Sequence, residues 1–242
     1  MQAAIVTGVS RGLGAALAAE LLERGFTVLG IGRASNPALE RASYAFARFD
    51  LADAARVDEA LTPAFSRLAA RKPASVCLLN NAATAGPVGT LGRLASSEVT
   101  SALMVNLAAV VTLTNLFCRV FADPAMARRV INVSSGAAQN TLPGEGVYCV
   151  AKAGMEMLTR ALAAEQQAAN FRAITVRPGV IDTDMQVFAR SHSPEVLPSV
   201  ELFKGFHRDG RLVAPAIVAS KIVARLVVDD VEHGRTYSYQ EL

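Results

Sequence analysis

The 242-residue chain is 52% hydrophobic and 19% charged, a composition typical of one globular domain with a large core. Its formal net charge of +3 and its scattered basic residues do not indicate a nucleic-acid-binding surface. Three cysteines without C-x-x-C spacing, Cys77, Cys118 and Cys149, argue against a disulfide framework or a zinc site, and no cluster of ligand residues predicts a metal.

Short apolar runs rich in β-branched residues recur along the chain as AAIVTG, TVLGIGR, YAFARFD, SVCLLNNAA, RVINVSS and RAITVRPG. Segments of helical length lie between most of them: Ala15–Arg24, Ala52–Arg71, Ser97–Ala122 and Glu145–Ala169. Strands that alternate with helices predict βαβ units with right-handed crossovers. We therefore expect an α/β fold, with a doubly wound parallel sheet of about seven strands and helices on both faces.

No repeat, linker or change of composition divides the chain, so residues 1–242 are expected to form a single domain. The first apolar run begins at the N-terminus without the basic region or cleavage site of a signal peptide. Polar or charged residues interrupt every later run before it reaches the length of a membrane span. We therefore expect a cytoplasmic protein without a membrane or nucleic-acid partner.

Between the first strand and the first helix, the stretch VTGVSRGLGAAL contains Gly8, Gly12 and Gly14, which differ in spacing from the familiar G-x-G-x-x-G motif. A strand ending at Gly8 and a helix starting near Gly12 would direct free N–H groups and the helix dipole at one point, an arrangement that binds phosphate. The alternative is a tight turn without a ligand. The position of the motif within the predicted fold favours phosphate.

Arg33 ends the second predicted strand, at the place where a dinucleotide-binding fold contacts the adenosine ribose. An acidic residue there would bind the 2′-hydroxyl of NAD, whereas an arginine accommodates the 2′-phosphate of NADP. Arg11, within the glycine stretch, can reach the same phosphate. Both could instead be solvated surface arginines, but their two positions favour NADP.

Tyr148 and Lys152 in YCVAK are four residues apart, so a helix places them on one face. The pair alone could be a surface Tyr–Lys pair. Ser135, at the end of the fifth strand, and Asn106, in a helix interior where asparagine is unfavourable, strengthen a catalytic interpretation. Cys149 points about 100° away from Tyr148 on a helix, so we expect it to pack rather than react.

The segment from residue 182 to residue 212 follows the sixth strand and has no clear strand period. A connection of this length at the carboxyl edge of a sheet is usually a lid or a binding loop, so we expect it to contact substrate. Its phenylalanines, Phe188, Phe203 and Phe206, fit an apolar ligand or simply close the lid. His192 and His207 could contact substrate or lie on a mobile surface.

Together these motifs resemble the classical short-chain dehydrogenase/reductase family over nearly the whole chain. T-G-x-x-x-G-x-G matches at residues 7–14, and R-P-G-V-I-D-T-D-M at residues 177–185 matches the family's P-G-x-x-x-T segment. N-N-A-A at residues 80–83 replaces the usual N-N-A-G, and we expect Ala83 in place of glycine to be tolerated. The resemblance implies an NADP(H)-binding Rossmann domain and an oxidoreductase acting on C=O or CH–OH groups.

In order and spacing, Asn106, Ser135, Tyr148 and Lys152 match the family's catalytic tetrad. The resemblance implies that Tyr148 protonates the carbonyl oxygen, Ser135 positions it, Lys152 holds the nicotinamide ribose and Asn106 binds a water linking Lys152 to solvent. A lysine beside tyrosine should favour the phenolate and lower the tyrosine pKa toward neutrality, where proton transfer is efficient.

The resemblance also implies a cofactor site formed by several strand ends. Its expected members are Gly8, Ser10, Arg11, Gly12, Leu13, Gly14, Arg33, Asp50, Leu51, Asn81, Ala82, Ala83, Tyr148, Lys152, Pro178, Gly179, Ile181 and Thr183. Among them, Asp50 and Leu51 are expected to flank the adenine. Ile181 and Thr183 are expected to contact the nicotinamide carboxamide.

The segment GVIDTDMQ, the loop ending GRLVAP and the terminal GRTYSYQEL look like the sepiapterin reductase and benzil reductase branch. That resemblance implies an NADPH-dependent carbonyl reductase acting on a small ketone or diketone, as a homodimer or homotetramer. The terminal residues 239–242 lack the aspartate with which sepiapterin reductases hold the pterin, which favours a diketone or general carbonyl substrate.

Two alternatives remain open. The chain could be a 3-oxoacyl-type reductase or another alcohol dehydrogenase of the family, although such reductases usually end in a glycine-rich strand and tail. It could also be a non-catalytic NADP-binding regulator. Such regulators tend to lack the Tyr–Lys pair, and this chain has the full tetrad.

Overall fold

Seven parallel strands form one sheet in the computed structural model, which describes residues 1–242. The strands are β1 (Gln2–Thr7), β2 (Thr27–Gly32), β3 (Tyr44–Arg48), β4 (Ser75–Asn80), β5 (Ala127–Val133), β6 (Phe171–Arg177) and β7 (Thr236–Ser238). Their order is β3-β2-β1-β4-β5-β6-β7, with every neighbouring pair parallel. The predicted α/β fold, with a doubly wound sheet of seven strands, is confirmed.

Helices cover both faces of the sheet, because its central strands are apolar on both sides. The helices are α1 (Gly12–Glu23), α2 (Val57–Ala69), α3 (Ser96–Leu103), α4 (Ala109–Val120), α5 (Gly146–Glu165), α6 (Asp184–Arg190), α7 (Val200–Arg208) and α8 (Pro215–Ile222). Side chains of α2, α4 and α5 pack in one core cluster, and those of α1 and α8 pack in a second cluster across the sheet. Short 3-10 turns occupy 37–39, 51–56, 136–138 and 239–241.

Helices α3 and α4 are joined by a π-helical turn, Met104–Ala108, into one continuous helix, Ser96–Val120. Its 25 residues and mean hydropathy of 1.7 would allow it to cross a membrane by length and composition alone. This differs from the expectation that polar residues interrupt every such run. Its packing is that of a core helix, because Leu113, Leu116 and Phe117 are buried against the sheet.

The segment from residue 182 to residue 212 contains no strand, as expected, but it is more ordered than a loop. It forms α6 and α7, which pack through a small apolar cluster that includes Leu197, Val200 and Phe203. A β-bridge between Ile181 and Val213 joins the two ends of this segment. We refer to residues 182–212 as the lid segment.

Candidate active site

The glycine loop between β1 and α1 has the backbone shape of a phosphate-binding turn. Gly8 and Gly12 have φ angles of +77° and +58°, in the left-handed region that favours glycine. A side chain at Gly14 would collide with the carbonyl oxygen of Gly8, so this glycine lets α1 pack closely on the strand end. The N–H groups of residues 10–13 donate to no acceptor within the chain. Free N–H groups at a helix N-terminus fit the pyrophosphate of a dinucleotide.

The end of β4 is fastened to the end of β1 beside this loop. The Oγ1 atom of Thr7 accepts hydrogen bonds from the N–H groups of Asn81 and Ala82, each at 2.9 Å. The side-chain amide of Asn81 donates to the carbonyl oxygen of Thr7 at 2.9 Å. Ala83 follows and is half-buried. The predicted cofactor residues of the first and fourth strands therefore lie together.

The two arginines predicted for the 2′-phosphate have different surroundings. Arg33 follows β2, is exposed and makes no ion pair. Arg11 pairs with Asp184 at 3.0 Å, so it would have to leave that carboxylate to reach a phosphate. Sequence reasoning missed Arg48, whose β3 position is in register with Gly32. Arg48 is also exposed and without an ion pair, so two free arginines end adjacent strands.

On the adenine side, Asp50 and Leu51 follow β3. The Asp50 carboxylate accepts a hydrogen bond from the N–H of Ala52 at 3.0 Å, which caps the 3-10 turn, and Leu51 is buried. Their place at the carboxyl end of β3, next to Arg33 at the end of β2, agrees with the predicted adenine position.

On the nicotinamide side, Pro178 is buried and Gly179 has a φ of +77°. Ile181 is half-buried and lies in the bridge at the base of the lid segment. Thr183 begins α6, and its Cγ2 would lie 3.4 Å from a Cβ added at Gly12. The glycine loop and the end of β6 therefore approach each other, as a cofactor lying across both strand ends requires.

Three of the predicted catalytic residues lie at the carboxyl edge of β5 and on the first turns of α5. The Oγ of Ser135 accepts a hydrogen bond from the N–H of Ala137 at 3.2 Å, and Ser135 lies close enough to Tyr148 to affect its pKa. Lys152 is 2% exposed, and its Nζ donates to the carbonyl oxygen of Val133 at 2.7 Å. That Nζ lies 5.5 Å from the centre of the Tyr148 ring.

The pKa of Tyr148 departs from the sequence expectation. Burial raises the pKa of Tyr148 well above its usual range and Glu145 raises it further, while the hydrogen bond with Ser135 acts in the opposite direction. Burial also lowers the pKa of Lys152 to about 8, which weakens the cation that would stabilise a phenolate. The expected lowering of the Tyr148 pKa by Lys152 is therefore outweighed by the burial of both groups.

Asn106 is held at the turn that interrupts the long helix. Its Oδ1 accepts from the N–H of Thr84 at 2.8 Å, and its Nδ2 donates to the carbonyl oxygen of Thr84 at 2.9 Å. Asn106 is 1% exposed and lies in the π-helical turn, a kind of irregularity that is frequent at functional sites. Its side chain thus fixes the chain segment after β4 and makes no contact with Lys152.

A partly buried ion pair that sequence reasoning missed supports the catalytic segment from behind. Arg177, at the end of β6, pairs with Glu156 of α5 at 2.7 Å. Glu156 also accepts a hydrogen bond from Ser134 at 2.9 Å, and Arg177 donates to Gln139. The only sequence signal was the position of Glu156 one turn after Lys152. This network connects β5, α5 and β6 directly next to Ser135.

A cleft of about 550 Å³ lies between the lid segment, the β4–α3 connection and α3, and its lining does not include Ser135, Tyr148 or Lys152. It is lined by Thr84, Gly86, Pro87, Val88, Ser97, Glu98, Ser101, Ala102, Phe188, His192 and Val196. The ring of His192 packs edge-on against Phe188, with the ring centres 4.6 Å apart. Phe203 and Phe206 pack within the lid segment and His207 is exposed, so of the phenylalanines and histidines singled out in this segment only Phe188 and His192 line the cleft.

Comparison with known proteins identifies the family of the chain. Residues 2–194 match the short chain dehydrogenase family. The chain belongs to the short-chain dehydrogenase/reductase family. It is 31% identical to a benzil reductase ((S)-benzoin forming) of Bacillus cereus over the full length of both proteins. It is 33% identical to the sepiapterin reductase of Mus musculus, with 95% of this chain and 93% of that protein covered.

Among solved structures, the 3-oxoacyl-[acyl-carrier protein] reductase of Brucella melitensis in complex with NAD aligns with a TM-score of 0.81 at 24% identity, covering 98% of this chain and 95% of that one. The predicted family and its sepiapterin and benzil reductase-like branch are confirmed. As a short-chain dehydrogenase/reductase, the chain is an oxidoreductase acting on carbonyl or CH–OH groups. The family and the free N–H groups of the glycine loop support a nicotinamide dinucleotide as cofactor.

Proposed function

We propose that the protein is an NADPH-dependent carbonyl reductase that reduces a small ketone or diketone, with Tyr148 as the general acid. The observation that carries the proposal is the grouping of Ser135, Tyr148 and buried Lys152 at the carboxyl edge of β5, with the Lys152 Nζ 5.5 Å from the Tyr148 ring. A phenol hydroxyl placed beside a serine hydroxyl fits proton donation to a carbonyl oxygen.

The proposed mechanism assigns one task to each polar side chain. Ser135 binds the carbonyl oxygen and orients it, and Tyr148 transfers its hydroxyl proton to that oxygen as negative charge develops there. Lys152, which is buried with its Nζ on the carbonyl oxygen of Val133, holds the cofactor ribose and restores the proton of Tyr148. Asn106 fixes the segment at Thr84 that lines the cleft. The nicotinamide, when bound, supplies the hydride.

We infer a preference for NADPH over NADH from two positively charged side chains near the expected adenosine ribose. Arg33 and Arg48 are exposed arginines without ion pairs at the ends of β2 and β3, where the adenosine ribose of a dinucleotide lies in this fold. Arginine binds phosphate through two parallel hydrogen bonds, and the residue directly after β2 is Arg33 rather than an acidic residue that would bind a free 2′-hydroxyl. These features favour NADPH over NADH.

A diketone is proposed over a pterin because of the C-terminus. Its acidic residue, Glu241, accepts hydrogen bonds from the N–H and hydroxyl of Ser238 at 2.7 Å and pairs with Arg235. These partners hold the pKa of Glu241 at about 2 and occupy its carboxylate. Glu241 is therefore unsuited to replace the aspartate that a pterin would require.

The test is oxidation of NADPH in the presence of benzil, a simple α-diketone, sepiapterin or an acetoacetyl thioester, repeated with NADH. We expect the diketones with NADPH to react fastest. Reaction only with the thioester would instead indicate a 3-oxoacyl reductase. Tight binding of NADPH without oxidation by any of these compounds would contradict the proposal and favour a non-catalytic regulator.

A further inference from the structure

A buried carboxyl group that the mechanism above does not use lies one helical turn before Tyr148. Glu145 is 6% exposed and is the residue that precedes α5. Its carboxylate makes no hydrogen bond and no ion pair, and it does not cap the helix. A buried carboxyl group normally has a donor or cation as partner, because leaving it without one costs several kcal/mol. The Glu145 oxygens have no such partner within the protein and are not fully enclosed, so a ligand can reach them.

Two segments that adjoin the catalytic groups cover this position. The N–H of Gly89, in the connection between β4 and α3, donates to the carbonyl oxygen of Gly144 at 2.8 Å. A Cβ added at Gly144 would lie 2.9 Å from Pro198 of the lid segment, and one added at Gly146 would lie 3.6 Å from Leu91. Glu145 therefore lies where the lid segment and the β4–α3 connection meet the start of α5.

No charged group on these elements compensates the carboxyl group. On the two covering segments, the charged residues near these contacts are Arg93, two residues after Leu91, and Glu195, two residues before Leu197, and neither forms an ion pair with Glu145. On α5 itself the neighbouring titratable groups are Tyr148 and Cys149. Burial alone raises the pKa of Glu145 to about 7. At and below neutral pH the residue is therefore largely a neutral acid with an unused hydrogen-bond donor.

Glu145 also lies next to the proton donor of the proposed mechanism. It precedes Gly146, the first residue of α5, and Tyr148 is the third residue of that helix, so the two residues lie within one turn. Glu145 acts electrostatically on Tyr148 and raises its pKa. In the proposed mechanism the reacting carbonyl lies at Tyr148, so Glu145 is the buried carboxyl group next to the bound substrate.

We propose that Glu145 is a specificity-determining residue that donates a hydrogen bond, as a neutral acid, to the second carbonyl oxygen of a vicinal dicarbonyl substrate. The proposal rests on the proposed carbonyl reductase function and names its substrate class. The proton stays on Glu145 throughout, so the balance of the reaction is unchanged. A substrate with one carbonyl group gains nothing from this residue.

The ionisation of Glu145 determines how kcat/KM for a dicarbonyl substrate should change with pH. Below about pH 7 Glu145 is protonated and donates to the second carbonyl oxygen. Above that pH it becomes a carboxylate, which loses the donor and repels the same oxygen. Hence kcat/KM for a dicarbonyl should fall as the pH rises through about 7, before the fall that Lys152 causes near pH 8. Comparison with Glu145→Gln, which donates but does not ionise, isolates the contribution of Glu145.

The test measures kcat/KM for two substrates: benzil, and deoxybenzoin, in which a methylene group replaces one carbonyl. Each substrate is assayed with the wild type, Glu145→Gln and Glu145→Leu. The control is Glu165→Gln, a change at an exposed residue of the same helix. We expect Glu145→Leu to lower kcat/KM for benzil about tenfold, the value of one hydrogen bond, and for deoxybenzoin less than about twofold. Glu145→Gln should keep the benzil activity and lose the fall near pH 7. Glu165→Gln should match the wild type in both assays.

The proposal would be overturned if Glu145→Leu lowered kcat/KM equally for both ketones or for neither. A pH profile of Glu145→Gln identical to that of the wild type would also overturn it. Preference for an α-amino ketone that grows above pH 7 would also overturn it, by indicating a carboxylate that binds a cation. If Glu145→Leu does not fold, as judged by its NADPH binding, the pH profile of Glu145→Gln decides. Failure of the wild type to reduce either ketone would instead overturn the carbonyl reductase function itself, and the role of Glu145 with it.

Discussion

At the scale of single residues, the environment of Tyr148 determines in which direction its pKa is shifted. The sequence motif alone predicts a tyrosine activated by Lys152, with a pKa lowered toward neutrality. The structure has both groups buried, and burial disfavours the charged form of each. The proximity of two residues could be predicted from their spacing, but their desolvation could not, because it depends on segments distant in the sequence.

Tyr148→Phe tests the role of the phenol. The variant keeps the ring and its packing but cannot donate a proton, so we expect turnover to fall by a factor of about 10² to 10⁴. The affinity for NADPH, measured by fluorescence titration, should stay within about twofold. An active Tyr148→Phe enzyme would exclude Tyr148 as the proton donor, and lost NADPH binding would indicate a structural role.

Arg33→Asp tests the origin of the cofactor preference. The change removes a charge-assisted contact with the 2′-phosphate and adds repulsion, so kcat/KM for NADPH should fall about tenfold to a hundredfold, while that for NADH should not fall. Arg67→Asp is the matched control, because Arg67 is exposed on α2 and makes no ion pair. Equal selectivity in Arg33→Asp and the control would remove Arg33 from the 2′-phosphate site.

At the scale of secondary-structure elements, a ladder of buried polar side chains ties the ends of three strands together beneath the site. Asn80 of β4 donates to Asn132 of β5 at 2.9 Å, Asn132 donates to Thr159 of α5 at 2.9 Å, and Thr159 bonds to Thr175 of β6 at 2.7 Å. Asn80, Asn132 and Thr175 are in register on neighbouring strands. The ladder fixes the positions of the ends of β4, β5 and β6 relative to one another, and these ends carry the site.

Asn132→Leu tests this ladder. It leaves a buried amide hydrogen of Asn80 and an acceptor of Thr159 without partners, so the free energy of unfolding should fall by about 1–3 kcal/mol. The measurement is urea unfolding, with Asn115→Leu as the control because Asn115 is exposed on α4. The control should change stability by less than about 0.5 kcal/mol. A loss in Asn132→Leu no larger than the control's would show that the ladder contributes no stability.

The long helices could be predicted from the sequence, whereas the short helices α6 and α7 could not, for a physical reason. The long helices were predicted because their apolar period is sustained over several turns; Glu145–Ala169 was predicted and Gly146–Glu165 is found. Helices α6 and α7 are only 7 and 9 residues long. Helices this short depend on tertiary packing, here on the cluster of Leu197 and Val200, so their local sequence resembles a loop.

At the scale of the whole molecule, the strand order explains why distant motifs meet. From β1 the chain adds β2 and β3 on one side and then β4 to β7 on the other, and ligands of open α/β sheets bind where the strand order reverses in this way. Alternating strands and helices with right-handed crossovers permit few topologies, so the position of the glycine loop opposite the tetrad could be predicted. The ion pair of Glu156 and Arg177 could not, because nothing in the sequence relates two residues of α5 and β6.

The last prediction concerns assembly, which the family resemblance implies as a homodimer or homotetramer. Four apolar side chains are 39–59% exposed on the long helix and on α5: Met104, Val111, Val150 and Met157. Each helix carries its pair seven residues apart, which places both members on one face. Such a row of apolar side chains on two adjacent helices fits a second copy of the same surface, because a two-fold interface is self-complementary.

We expect a dimer of the wild type by light scattering coupled to size exclusion, and a monomer for Met157→Arg, because an arginine would be desolvated without a partner in the apolar interface. Ile217→Arg is the comparison, since Ile217 is similarly apolar and 53% exposed but lies on α8, away from these helices. A dimer should keep its mass in Ile217→Arg. If the wild type has the mass of four chains and Ile217→Arg has the mass of two, the protein is a tetramer with a second interface at α8. A monomeric wild type would contradict assembly through either surface.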